Sequence, residues 1–359
     1  MKLGLGLYRE LLNRETLQFA RQAGVTHIVA HLPGHFVRKQ SEIITSDQAA
    51  YGFGVSDGAD PIWTLEGLRD LKALVNTADL ELEALENFAP AHWYDILLNG
   101  PRRAEQMAHL QQILRDMGRA GIRTMGYSFT LAGVWGRTEG PFARGGARSV
   151  GFENPVQTPI PAGMVWNMVY DPDRFRPDSS TGTVGPVSAE EMWRRFAAFL
   201  YEMVPVAEEA GVKLAIHPDD PPLPTLRGAA RLIHHPDSFQ RVYEVAPSPM
   251  NSLEFCVGTV SEMVGTDVYE AVDRYSKVGR IAYVHLRNVR GKVPNYHEAF
   301  IDDGDTDMLR VLQILHRNGF DGVIIPDHTP LLACAAPWHA SVAHALGWIR
   351  AAITAVERG

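Results

Sequence analysis

Cysteine is scarce: Cys256 and Cys334 are the only two in 359 residues. Two are too few for a disulfide framework, and a reducing, cytoplasmic compartment is the expected home. Positive charge is short as well. Lys and Arg number 34 against 42 Asp and Glu, giving a formal charge of -8. No basic block interrupts that deficit, which argues against a nucleic-acid-binding surface. An acidic chain that takes an acidic substrate needs a local cation to offset the repulsion. No run of about 18 apolar residues occurs, so no membrane span is expected. The short apolar run Met1–Leu7 meets Arg9 and Glu10 at once and lacks a small-residue cleavage site, so it predicts a first strand rather than a signal peptide. A Gly-x-Ser-x-Gly nucleophile elbow is missing. Gly145-Gly146 does not sit between a strand and a helix as a phosphate cradle would.

What the chain does contain is alternation. With 45% apolar and 21% charged residues it can bury a sizeable core. Strand-like runs are expected at Lys2–Leu7, Val25–Leu32, Leu80–Glu86, Arg123–Phe129, Lys213–His217, Ser252–Cys256, Ile281–His285 and Val323–Asp327. Helical spacing separates many of them. Asn13 is placed to cap a helix that stops at Gly24, and a second helix is expected over 65–76. Met107, Leu110, Leu114 and Met117 form one apolar stripe; Met192, Phe196, Phe199 and Met203 form another behind a Ser188–Glu191 capping box. Pro205 is expected to kink or break that last helix before Gly211 ends it. Further helices are expected near 267–276 and 307–317 and around Leu346, Ile349, Ile353 and Val356.

Eight strands alternating with helices predict an α/β fold, a (β/α)8 TIM barrel, as one domain over 1–359. Two stretches break the pattern. Residues 41–60 are polar and without period, a candidate lid. Residues 131–187 are rich in Gly, Pro and Arg, with only Met164–Tyr170 strand-like; they are expected to form an insertion after the fourth strand, on the active-site face.

The last four strands each stop on a residue able to bind a metal: His217, Cys256, His285 and Asp327. Taken singly each is weak, since a strand-end His is more often structural and a lone Cys more often a small apolar residue. Four in succession on one barrel mouth point to a shared divalent ion. Thiolate would favour Zn and carboxylate would favour Mn or Mg, so ligand chemistry leaves the metal open. Around this set, Asp219 and Asp220 stand on a Pro-stiffened loop, suited either to hydroxyl recognition or to a plain turn. Arg287 and Asn288 follow the seventh strand, where an Arg could grip a carboxylate or pair with a protein acid. Glu86 and Asn87 close the third strand and join them as substrate-binding candidates. His328, next to Asp327, is the first candidate for general acid/base, and His297 is a second, in a loop beside Glu298.

Together these stretches resemble the mannonate dehydratases, metal-dependent barrels similar in fold to xylose isomerase. The matching segments are His217-Pro218-Asp219-Asp220-Pro221-Pro222, Glu254-Phe255-Cys256-Val257-Gly258-Thr259, Tyr283-Val284-His285-Leu286-Arg287-Asn288, Tyr296-His297-Glu298 and Ile325-Pro326-Asp327-His328. Met125-Gly126-Tyr127-Ser128-Phe129 matches more loosely. The resemblance implies that His217, Cys256, His285 and Asp327 bind Mn2+ or a similar ion (Mg2+, Fe2+ or Zn2+) and that His328 is catalytic. It also implies a homo-oligomer acting on a small sugar acid, converting D-mannonate to 2-keto-3-deoxy-D-gluconate and water. One departure stands out. The family carries a catalytic Tyr before its last helix, whereas this chain reads Ala336-Pro337-Trp338-His339-Ala340-Ser341. His339 or a residue from elsewhere would have to replace it. The missing Tyr keeps two alternatives in view: a metal-dependent sugar isomerase or epimerase, or a barrel that binds a sugar acid without turnover.

Overall fold

The computed structural model describes residues 1–33, 59–165, 169–170 and 182–358. Most of the predicted lid, residues 41–58, lies outside them. Eight parallel strands close into a barrel: β1 (Lys2–Tyr8), β2 (His27–His31), β3 (Glu81–Glu86), β4 (Thr124–Tyr127), β5 (Lys213–Ile216), β6 (Asn251–Cys256), β7 (Ile281–His285) and β8 (Val323–Ile325). Their order around the barrel follows the chain, with β1 pairing β8 to close it. No helix among the described residues is long and apolar enough to cross a membrane.

Small residues let the barrel close. A side chain at Gly4 would run into Val323 and Ile325 of β8. Inside, Val29, Ala84, Ala215, Tyr283, Val323 and Ile325 pack together. A larger apolar layer fills the space between strands and outer helices, because the helices present one apolar face each. In Met308–Arg317 the buried residues are Met308, Val311, Leu312, Ile314 and Leu315. Asn13, Ser188, Asp267 and Asp307 cap their helices by accepting from backbone N–H groups two or three residues on.

Three expectations need correction. The helix Ala189–Ala210 continues past Pro205 without a break. The bond that Pro205 cannot make would have gone to the carbonyl of Tyr201, a residue 64% exposed, where water can take over. The stretch 131–187 is more regular than its composition suggests: it holds Arg137–Ala143 and Ala147–Glu153, besides the short pair Met164–Val165 and Val169–Tyr170. The first two join Asn288–Lys292 and Asn295–Ala299 in a four-stranded antiparallel sheet outside the barrel. His297 is thus in a strand, not a loop.

Candidate active site

The C-terminal ends of the barrel strands surround a cavity of about 130 Å³. Tyr8, His31, Glu86, Asn87, Arg137, His217, Asp219, Asp220, Arg231, Glu254, His285, Asp327 and His328 are among its lining. Donor atoms of His217, Cys256 and His285 lie within 4.8 Å of one another, and Asp327 Oδ2 stands 3.5 Å from His285 Nδ1. His285 also belongs to a second group with Glu86 and Glu254, whose carboxylates lie 3.3 and 3.1 Å from its Nε2.

Each of these side chains is held by its strand end. His217 Nδ1 is 2.5 Å from the Pro218 carbonyl, which it meets as a donor, so Nε2 is the nitrogen that takes either a second proton or a metal. Cys256 ends β6 and caps the next helix, its sulfur accepting from the Thr259 N–H at 3.4 Å. Asp327 has φ +59° and Asn87 φ +62°, the left-handed backbone that turns a strand end sharply.

The electrostatics are those of a cation site. Burial raises the Cys256 thiol pKa, but Arg287 and the two imidazoles outweigh it and hold the thiol well below its ordinary value. Burial likewise works against charge on His217, yet Cys256 and Glu254 push it up to about 9. His285 is raised well above its ordinary value, Asp327, Glu254 and Glu86 overriding its burial. Both its ring nitrogens are buried without a hydrogen-bond partner among the described residues. A thiolate and two imidazoles with donor atoms within 4.8 Å of one another, flanked by the carboxylates of Asp327, Glu86 and Glu254, fit a divalent metal, which would take the place of the protons they now share.

Beside the metal candidates, His328 Nδ1 is 2.7 Å from Glu298 Oε1. Burial lowers the pKa of His328, and Asp327 and Glu298 more than restore it. Glu298 also accepts from Arg287 Nη1 at 2.9 Å. Arg287 is a buried hub whose Nη2 reaches Asp220 at 2.7 Å and Glu262 at 2.8 Å. Asp220 accepts in addition from Arg137, from Tyr296 at 2.8 Å and from Thr259 at 3.3 Å.

The other sequence candidates divide. Glu86, Asn87, Asp219 and Asp220 line the cavity. Arg287 is spent on protein carboxylates, and Asn288 pins a loop: its Nδ2 donates to the Ile301 and Thr306 carbonyls at 2.9 Å each. His297 points away because strand alternation puts Tyr296 and Glu298 on the inner face; its ring lies 6.1 Å from Phe142. His339 is exposed in the first turn of Pro337–Arg358, 5.0 Å from the Phe19 ring on the outer helical layer, and is not among the residues lining the cavity. Sequence reasoning gave no role to Tyr8, His31, Arg137, Arg231 or Glu254. Glu254 was within reach: two residues before Cys256 on one strand, it shares that face.

A family model described as D-mannonate dehydratase (UxuA) matches residues 1–348. The chain belongs to the D-mannonate dehydratase family. Members of this family are hydro-lyases, and the chain is an enzyme of that class. It is 30% identical over 277 residues to a mannonate dehydratase of Streptococcus uberis, covering 74% of this chain and 78% of the relative. A mannonate dehydratase of Thermotoga petrophila is 28% identical over 289 residues, covering 76% and 79%. Among solved structures, the mannonate dehydratase of Streptococcus suis serotype 2 superposes with a TM-score of 0.78 at 24% identity, over 100% of this chain and 95% of that one. An L-ribulose 3-epimerase superposes at 0.56 with 15% identity, over 99% and 96%. At these identities both structures speak for the shared barrel alone. In this mannonate dehydratase family member the segment 336–341 has no Tyr, while Tyr8 brings a phenol to the cavity from the end of β1.

Proposed function

We propose that this enzyme dehydrates D-mannonate to 2-keto-3-deoxy-D-gluconate, with a divalent metal, Mn2+ by preference, held by His217, Cys256, His285 and Asp327. The observation that carries the reading is the convergence of His217, Cys256 and His285 donors within 4.8 Å, with both imidazoles, the Asp327 carboxylate and the His328 imidazole in the lining of one cavity. When bound, the ion supplies positive charge that stabilises an oxygen as it gains electron density. The chain's own residues do the rest. Glu298 orients His328 through its Nδ1, which leaves Nε2, 3.6 Å from Asp327 Oδ1, as the nitrogen to exchange a proton with the substrate. A basic group of the cavity accepts the proton from the carbon next to the substrate carboxylate. The electron pair of that C–H bond becomes the new C=C bond as the neighbouring C–O bond breaks, and protonated His328 delivers the proton that lets the hydroxyl leave as water. The enol that remains becomes the 2-keto acid. Asp220, tied to Arg137, Arg287 and Tyr296, is a wall of the cavity rather than a moving part.

The test is incubation of purified, Mn- or Mg-loaded enzyme with D-mannonate and an assay for the 2-keto-3-deoxy product; absence of product rejects the substrate. His328→Ala is expected to remove turnover and keep metal content, and loss of metal would reassign His328. A second reading, isomerisation or epimerisation of a sugar on the same site, is favoured by the missing Tyr in 336–341. Deuterium uptake from solvent without loss of water would select it. With two cysteines and no membrane-length helix among the described residues, a cytoplasmic metabolic role is the matching setting.

A further inference from the structure

Arg287, the residue that sequence alone offers as a carboxylate grip, has its guanidinium committed to Asp220, Glu262 and Glu298. A different arginine keeps two of its guanidinium nitrogens without a hydrogen bond among the described residues. Arg231 is 2% exposed and lines the cavity. Its Nη1 donates to the Gly133 carbonyl at 2.6 Å and to Thr130 Oγ1 at 3.1 Å, which fixes the plane of the guanidinium. Its Nε and Nη2, the two donors of the opposite edge, have no hydrogen-bond partner among the described residues. Asp219 forms an ion pair with it, Oδ1 standing 3.3 Å from Nε without hydrogen-bond geometry, while Asp219 Oδ2 accepts from the backbone N–H groups of Leu232 and Ile233 at 2.8 Å; Nη2 faces no such acid among the described ion pairs. Beside it Arg137 also lines the cavity with its Nε unpartnered.

Buried donors of this kind are ordinarily satisfied. The Nε/Nη2 edge of a guanidinium presents two parallel N–H bonds, the spacing of the two oxygens of a carboxylate. We propose that Arg231 binds the carboxylate of the sugar acid through that edge, with Arg137 adding charge from the flank. Arg231 is then the residue that separates acid sugars from neutral ones. This rests on the sugar-acid reading above. It goes further by giving the carboxylate to an arginine and leaving the ion to face the hydroxyls of the carbon chain. Burial depresses the pKa of Arg231 more than Asp219 and Asp220 raise it, which is consistent with a site that gains from a further anion.

Metal-loaded wild type, Arg231→Lys and Arg231→Gln are titrated by calorimetry with D-mannonate and with D-mannitol, which keeps the six-carbon chain but has no carboxylate. A crystal of the wild type is soaked in D-mannonate. Both variants are expected to lose about tenfold or more in affinity for the acid, with the polyol changed by less than about twofold, since a charge-assisted pair is lost for one ligand only. The soaked crystal is expected to show both carboxylate oxygens within hydrogen-bond distance of Nε and Nη2. Equal losses for both ligands, no loss for the acid, or a carboxylate seated away from Arg231 overturns the proposal. Should the variants fail to fold, the wild-type complex decides alone, and failure of the wild type to bind any six-carbon aldonate overturns it too. Binding through Arg231 without release of water would sink the dehydration instead. Turnover that survives in Arg231→Gln with the acid preference intact would sink only the carboxylate assignment.

Discussion

Asp220 shows how one residue couples stability to the site. It is buried between Arg137 and Arg287, and although burial raises its pKa, those two cations drive it far below the ordinary carboxylate range. Asp220→Asn takes the paired carboxylate from Arg137 and one of the three hydrogen-bonded to buried Arg287, so unfolding in urea should show a loss of about 3–5 kcal/mol. The sign with pH follows from the depressed folded value: the stabilisation is present above the unfolded pKa of about 4 and fades as pH falls below it. Wild type and Asp220→Asn should therefore converge in stability on acidification. The metal candidates respond to pH in the same sense, in another quantity and over a higher range. With His217 pushed up to about 9, an ion has to displace a proton at neutral pH, so metal affinity measured by competition should rise from pH 6 towards about 9. Such residues were readable only where position decides the role. His217, Cys256, His285 and Asp327 sit at strand ends, and strand ends can be read from a five-residue apolar run. Arg231 and Arg137 owe their place to partners such as Asp220, 83 residues from Arg137, and no local pattern carries that.

At the scale of the element, strand β4 has a position with no room. A side chain at Gly126 would run into Tyr283 Oη and Glu254 Oε2, both of them fixed inside the barrel. Gly126→Ala should displace Glu254 from beside His285, lowering the melting temperature and the metal stoichiometry together; a drop in melting temperature alone would mean that the strain is absorbed elsewhere. Helices with an apolar stripe and a cap were legible, as Ser188 and its following turn show. The strands Arg137–Ala143 and Ala147–Glu153 were not. Only four of their fourteen residues are buried and Gly interrupts both, so they alternate weakly, packing on another strand pair outside the barrel rather than on its core. Pro205 misled for a related reason: the penalty it carries depends on which side of the helix meets water.

For the whole molecule, period decided the architecture. Two-residue and three-to-four-residue spacings recur in turn from end to end, and a barrel is the arrangement that buries both. Four of the eight strands bring a candidate metal ligand to one rim, so a bound ion ties together parts of the chain from residue 217 to residue 327. Chelation should accordingly destabilise the entire fold. With free metal at about 100 times its dissociation constant, the holo protein should be more stable by about 2.7 kcal/mol than the chelated one, read as a shift in the denaturation midpoint.

The sheet outside the barrel stitches the segment after β4 to the segment after β7 through paired backbone at Phe152 and Tyr296. One segment carries Arg137 and the other Glu298. Neither can be exchanged between relatives by itself, since a transplanted half would arrive without its matching edge. Recombination that respects this protein has to move both halves as a pair.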